Sequence, residues 1–509
     1  MMIKVILLVI FFAVMVAVGI YSRKHAMSVD GFVLGGRSVG PRLTAFAYGT
    51  SYFSAVVFVG YAGQFGWKYG LASTWIGIGN AVIGSLMAWV VLGRRTKVMT
   101  QYLNSKTMPD FFGSRYGSKP LKIAASAIVF VFLVPYTASI YNGLSRLFEM
   151  AFHIPYAWCV IGMAVFTGIY VILGGYMATA INDFIQGIIM LAGIIVVIAA
   201  VLNGQGGFLE AVGKMAEIPS DVEITLGQPG AFTSFFGPDP GNLLGVVILT
   251  SLGTWGLPQM IGKFYAIKDE KSINTGTVIS TVFAIVVSGG CYFLGGFARL
   301  FDAPAIYDEA GAVVYDSIIP HMLSALPDIL IGIVVVLVLS ASMSTLASLV
   351  LTSSSTLTLD FLKDNLLKEM SEKRQVRTMQ VLVIFFIAVS VFIALDPPTF
   401  IAQLMGISWG ALAGAFLAPF LYGLYWKGTT RAGVWASFIV GVGITVVNMF
   451  MPFIESSINA GAAAMVAGLI VVPVVSLITP KLSREKTDAI FSCYEEKVTI
   501  TKKRSLEQN

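Results

Sequence analysis

The sequence predicts an all-α membrane protein with about thirteen crossings, and three observations predict it. Mean hydropathy is +0.82 over 509 residues, with 56% hydrophobic and only 12% charged side chains. A soluble chain of that length needs far more charge on its surface. Apolar runs of roughly 18 to 25 residues recur from end to end, the length that carries a helix across a bilayer. The runs are continuous and do not alternate, which excludes a membrane β-barrel.

In order, the spans fall near residues 3–22, 43–66, 70–93, 121–150, 156–178, 181–203, 241–265, 275–300, 327–357, 378–396, 400–425, 432–454 and 460–480. The first is too long for a signal peptide's apolar region. It is followed by Arg23, Lys24 and His25, not by the small residues of a cleavage site, and reads as a retained helix. If the spans alternate, the loops carrying Arg37, Arg94, Lys106, Lys119, Lys268, Lys373, Lys427 and the basic tail share one side. The opposite loops are acidic: 204–240 has Lys214 against five carboxylates' worth of Glu210, Glu217, Asp221, Glu223 and Asp239, and 301–326 has no Lys or Arg. The positive-inside rule then places the N-terminus outside and the C-terminus in the cytoplasm of a cell-membrane protein. The chain reads as one transmembrane domain, 1–480, with a polar cytoplasmic tail, 481–509.

Two spans are poor continuous helices. The second, TAFAYGTSYFSAVVFVGYAG, has Gly49, Thr50 and Ser51 at its middle; the seventh, VVILTSLGTWGLPQM, gathers Gly253, Gly256 and Pro258. Glycine weakens a helix and proline removes a donor. Freed backbone groups at membrane depth are tolerated only inside protein or around a polar cavity. With the first span set aside, the broken spans are the first and sixth of the remainder. Two five-helix units, about 43–203 and 241–425, then run in opposite directions, the pattern that points to a secondary-transporter site.

Span 327–357 ends SASMSTLASLVLTSSSTLTLD, where Ser344, Thr345 and Ser348 share a face with Ala341. Neutral hydroxyls and carbonyls can replace water around a monovalent cation, although Ser and Thr in membrane helices also bond their own i−4 carbonyls or join helices. In GGYMATAINDFIQGIIM, Asp183 lies in apolar sequence with no basic residue close by. An ionisable group there suggests function; the competing reading is a cap on a helix starting near residue 182. Arg146 and Glu149, spaced i,i+3, read as a local ion pair. Cys159, Cys291 and Cys493 have no metal-ligand spacing.

Several motifs, in order, carry a resemblance: GGRSVGPRLTAFAYGTSYFSA, PYTASIYNGLSRLFE, GGYMATAINDFIQ, SASMSTLASLVLTSSS and LYGLYWKGTTRAG. Over nearly its whole length the chain resembles the solute:sodium symporter family, most closely its sodium/proline branch. The resemblance implies a leucine-transporter-like core of ten helices in two inverted repeats, with one helix before and two after. It implies a sodium ion held by the carbonyls of Thr50, Phe53 and Ala341 and the hydroxyls of Ser344 and Thr345. It places Asp183 and Ser348 at a second sodium or on the ion's exit path, with one expected hydroxyl replaced by Ala347. Candidate substrate positions are Ser54, Tyr136, Thr254, Trp255 and Pro258.

The expected function is sodium-coupled import of a small organic solute, such as proline, by alternating access, with sodium as coupling ion and no obligatory protein partner. Proton coupling, or a sugar or carboxylate substrate, is the alternative. A channel lacks its filter segment and a membrane enzyme its paired catalytic residues; a transporter-like sensor lacks a signalling domain.

Overall fold

The computed structural model describes residues 2–51, 53–363, 366 and 369–495. Tyr52, Lys368 and tail residues 496–509 lie outside the described residues.

Among the described residues, eleven helical stretches are long and apolar enough to cross a membrane. Two of them are twice the needed length. Tyr156–Gly204 has 49 residues and Val56–Tyr102 has 47; at 1.5 Å per residue each runs about 70 Å, more than two bilayer cores. Each contains a glycine that turns the chain back. Gly175 has φ 54° and ψ −150°, and Gly70 has φ 59° and ψ −140°. Only glycine enters that region readily. Space gives the same answer: a Cβ at Gly175 would stand 2.9 Å from the Phe32 ring, and one at Gly70 would stand 2.2 Å from the Phe232 carbonyl oxygen. Gly175→Ala should therefore cost about 1–3 kcal/mol from backbone strain alone. A lowered melting temperature of the purified protein checks this; an unchanged one refutes the turn's dependence on glycine.

The chain opens on Met2–Ser22, which packs along Tyr156–Gly204 and Asp328–Thr356. Near its start Lys4 is buried, donating to the Ala151 carbonyl at 3.2 Å and pairing with Asp328 at 2.9 Å. The interior is built around Asp328–Thr356, where almost every residue from Val334 onward is buried. A helix apolar all round belongs at the centre of a bundle, and this one is enclosed by Lys119–Phe152, Tyr156–Gly204 and Glu372–Leu395. Ile401–Tyr425 is as deeply buried, held by Arg431–Phe450 and Ser457–Ile478.

Both expected breaks are present. Pro41–Ser51 stops, and helical geometry resumes beyond Ser54. Pro240–Leu252 tightens at Gly253–Trp255, passes through extended Leu257, and restarts with Pro258 at the first turn of Pro258–Ala266. Proline suits that position, where its missing N–H costs nothing. Gly256 lets this second break lie against Ile401–Tyr425, since a Cβ there would meet the Ala413 Cα at 2.7 Å.

Candidate functional site

The first break frees carbonyls, and the hydroxyl helix meets them. Ser344 donates to the Thr50 carbonyl at 2.9 Å and to that of Ala341 at 3.1 Å. The Thr345 hydroxyl lies 2.8 Å from the Phe53 carbonyl, 3.1 Å from that of Ala341 and 3.2 Å from that of Thr50. The five oxygens implied by the resemblance thus converge from two segments that are far apart in the chain. All five residues are buried. Ser342, which sequence reasoning passed over, lies outside this cluster; its hydroxyl accepts the freed Ala55 N–H at 3.0 Å and fixes the break against the helix.

One turn further along, Ser348 meets Ser51 at 2.9 Å between hydroxyl oxygens. Ser348 also accepts a hydrogen bond from the Lys263 ammonium at 3.0 Å. The same ammonium stands 3.7 Å from Asp183 Oδ2 and lies 5.2 Å from the centre of the Tyr176 ring. Lys263 and Asp183 are both buried, at 2% and 0% exposure. The carboxylate that seemed isolated in sequence therefore has a basic partner from the second broken span. Sorting basic residues by loop hides it, because MIGKFYA is inside an apolar run. The signal was available: a lysine at membrane depth is costly and needs a partner.

The capping reading of Asp183 is overturned. Helical geometry begins directly after Gly175, so Asp183 sits two turns inside the helix. Neither of its oxygens accepts a hydrogen bond. The turn comes earlier than expected because Gly175, with its glycine-only dihedrals, sets it. The expected Arg146–Glu149 pair is also not formed: the Arg146 guanidinium lies 5.2 Å from the centre of the Tyr156 ring.

The candidate substrate positions divide. Ser54 is buried and accepts the Val56 N–H. Tyr136 is buried with its hydroxyl unpaired and its ring edge-on to Trp409, 5.9 Å between centres. Trp409 was not anticipated. Its indole N–H is also buried without a partner, and its ring fills the space left by Gly253 at the second break. Thr254 and Trp255 are committed elsewhere: Thr254 donates to Gly84 and Ser251, and Trp255 to Ile83. Pro258 lies with Lys263, Gln259, Tyr176, Thr179 and Thr107 on the wall of a cleft at the basic end. A second cleft, at the acidic end, is walled by Gln64, Lys68, Asp221, Asp239, Arg299 and Gln403. Above it, Asp316 on Tyr315–Ser324 accepts the Ile401 N–H at 3.2 Å, and burial pushes its carboxyl up to about 6.

Among the described residues no group of three or more His, Cys, Asp or Glu side chains could hold a metal ion. That does not weigh against sodium, which the five-oxygen cluster would meet with hydroxyls and carbonyls.

Comparison with known proteins bears on the same segments. Residues 32–441 match the model of the Sodium:solute symporter family. Sodium/proline symporters of Staphylococcus aureus strains JH9 and NCTC 8325 / PS 47 are each 30% identical over 500 residues, covering 94% of this chain and 93% of theirs. A solved structure of a Na+-coupled sialic acid symporter, substrate-bound and outward-open, superposes with a TM-score of 0.76 at 14% identity, over 95% of this chain and 99% of that one. At that identity the likeness shows the fold alone.

Proposed function

The chain belongs to the sodium:solute symporter family and is a transporter, not an enzyme; from that premise we propose that it couples inward sodium movement to import of a compact organic solute, proline or an amino acid of similar size. The observation that carries this reading is the convergence of Thr50, Phe53, Ala341, Ser344 and Thr345. Two hydroxyls there hydrogen-bond to three carbonyls. A sodium ion entering the cluster would turn the hydroxyl lone pairs inward and replace those hydrogen bonds with ion–oxygen contacts. Each neutral oxygen would stand in for one water of hydration. Because the oxygens come from the first break and from the hydroxyl helix, the ion would tie the two together, and its departure would release them.

The solute would sit beside the ion, between the breaks, near Ser54, Tyr136 and Trp409, where the Tyr136 and Trp409 rings meet edge to face. Aromatic faces suit a small ring or short side chain better than a sugar with many hydroxyls. The name of the curated relatives supports proline as the first solute to try.

Thirteen crossings accord with the two double-length helices turned at Gly70 and Gly175. The basic end would then face the cytoplasm, and the cleft at Lys263 would be the inner path.

Uptake by proteoliposomes tests the reading. Labelled L-proline, then other amino acids, carboxylates and sugars, should enter only with an inward sodium gradient. Equal uptake in potassium buffer rejects sodium coupling.

A further inference from the structure

Lys263 is a strange residue for an ion path. Its ammonium stands where Asp183, Ser348 and, through Ser348, Ser51 converge. A carboxylate with two hydroxyls is a donor set for a hard cation. The set is continuous with the five-oxygen cluster: Ser51 follows Thr50, whose carbonyl accepts Ser344, and Ser348 is one turn from Ser344 on the same helix. It also borders a cleft, since Ser348, Lys263 and Tyr176 form part of the cleft wall at the basic end.

The pair is a buried ion pair held at long distance. Buried ion pairs persist where hydrogen bonds satisfy both partners. Here the nearest nitrogen–oxygen distance is 3.7 Å and both Asp183 oxygens lack hydrogen bonds. The carboxylate meets a positive charge without being locked to it, as it would meet an ion. The Tyr176 ring face closes the remaining side, 5.2 Å from the nitrogen, the geometry of a cation–π contact.

We propose that the Lys263 ammonium is a tethered cation occupying the place of a second sodium ion between Asp183, Ser348 and Ser51, and that it limits this chain to one bound sodium. The proposal rests on the sodium reading above. A mobile ion at this place would leave for the cytoplasm in each cycle. The lysine instead moves with its helix, so the negative charge of Asp183 is neutralised in every state while only the ion at Ser344 and Thr345 is transported. It follows that Lys263, not Asp183, sets the ion count.

The test counts ions with sodium alone as the probe. Binding of ²²Na+ to the purified full chain in nanodiscs should saturate at one ion per chain. Lys263→Ala removes the tethered charge and should saturate at two. Lys263→Ser, which adds an oxygen to the vacated place, should do the same and serves if the alanine variant does not fold. Lys263→Ala with Asp183→Asn should return to one. A wild-type count of two leaves the sodium reading standing and overturns this proposal. A count of one in both single variants also overturns it. A wild-type count of zero rejects the sodium reading and this proposal together.

Discussion

Asp183→Asn is expected to lower the stability of the protein by about 3–5 kcal/mol, the cost of leaving one member of a buried ion pair alone. The amide keeps the size of the carboxylate and removes its charge. From the sequence alone this change would only weaken attraction for a passing ion, and the variant would fold normally. The position of Lys263, 2% exposed and 3.7 Å away, alters the expectation. Without Asp183 the ammonium has the Ser348 hydroxyl and the Tyr176 ring as partners, neither of them charged. Asp183→Asn together with Lys263→Gln removes both charges and should recover most of the loss, because a neutral buried pair needs no compensation. Melting temperatures of the four proteins in detergent, measured as a double-mutant cycle, check this. Destabilisation of the double variant equal to the sum of the two single variants would show that the two charges do not depend on each other.

Removing Thr345's hydroxyl should have the largest effect on sodium use. Thr345→Val keeps the shape and deletes an oxygen that reaches three carbonyls, those of Thr50, Phe53 and Ala341. Ser344→Ala deletes one that reaches two. A hydrogen-bonding group acting on a charge contributes about 1.5–3 kcal/mol, so the sodium concentration for half-maximal uptake should rise roughly 10- to 100-fold. Thr345→Val should exceed Ser344→Ala. Ser353→Ala, on the same helix with a hydroxyl that bonds nothing, is the control and should leave sodium dependence unchanged. If all three variants behave alike, the ion is held elsewhere.

The parts of this molecule that could be read from its sequence are those set by local pattern. Gly253, Gly256 and Pro258, gathered within six residues, interrupt the helix there. The face shared by Ala341, Ser344, Thr345 and Ser348 follows from helical period alone. With the resemblance to mark which carbonyls face that helix, the five-oxygen cluster could be named residue by residue. The parts that could not be read depend on contacts between distant segments. Lys263 and Asp183 meet because the second broken span crosses the helix after Gly175. Nothing in MIGKFYA says which carboxylate it will face. Trp409 has no motif; it matters because Gly253 leaves room for its ring. The helix start was misplaced because Gly174 and Gly175 look like any membrane-helix glycines until φ and ψ are known. The two turns themselves lie close to the span limits read from the sequence, at Gly70 between 43–66 and 70–93 and at Gly175 near the end of 156–178.

The central claim is that sodium binds between the first break and the hydroxyl helix. The most direct measurement is the melting temperature of the purified protein in sodium chloride against potassium chloride at equal ionic strength, for wild type and Thr345→Val. A ligand present at 100 times its dissociation constant stabilises the folded state by about 2.7 kcal/mol. Sodium, and not potassium, should raise the wild-type melting temperature, and Thr345→Val should lose most of that increment while melting normally in potassium. Equal melting in the two salts for wild type, or a full sodium increment in Thr345→Val, would contradict the account.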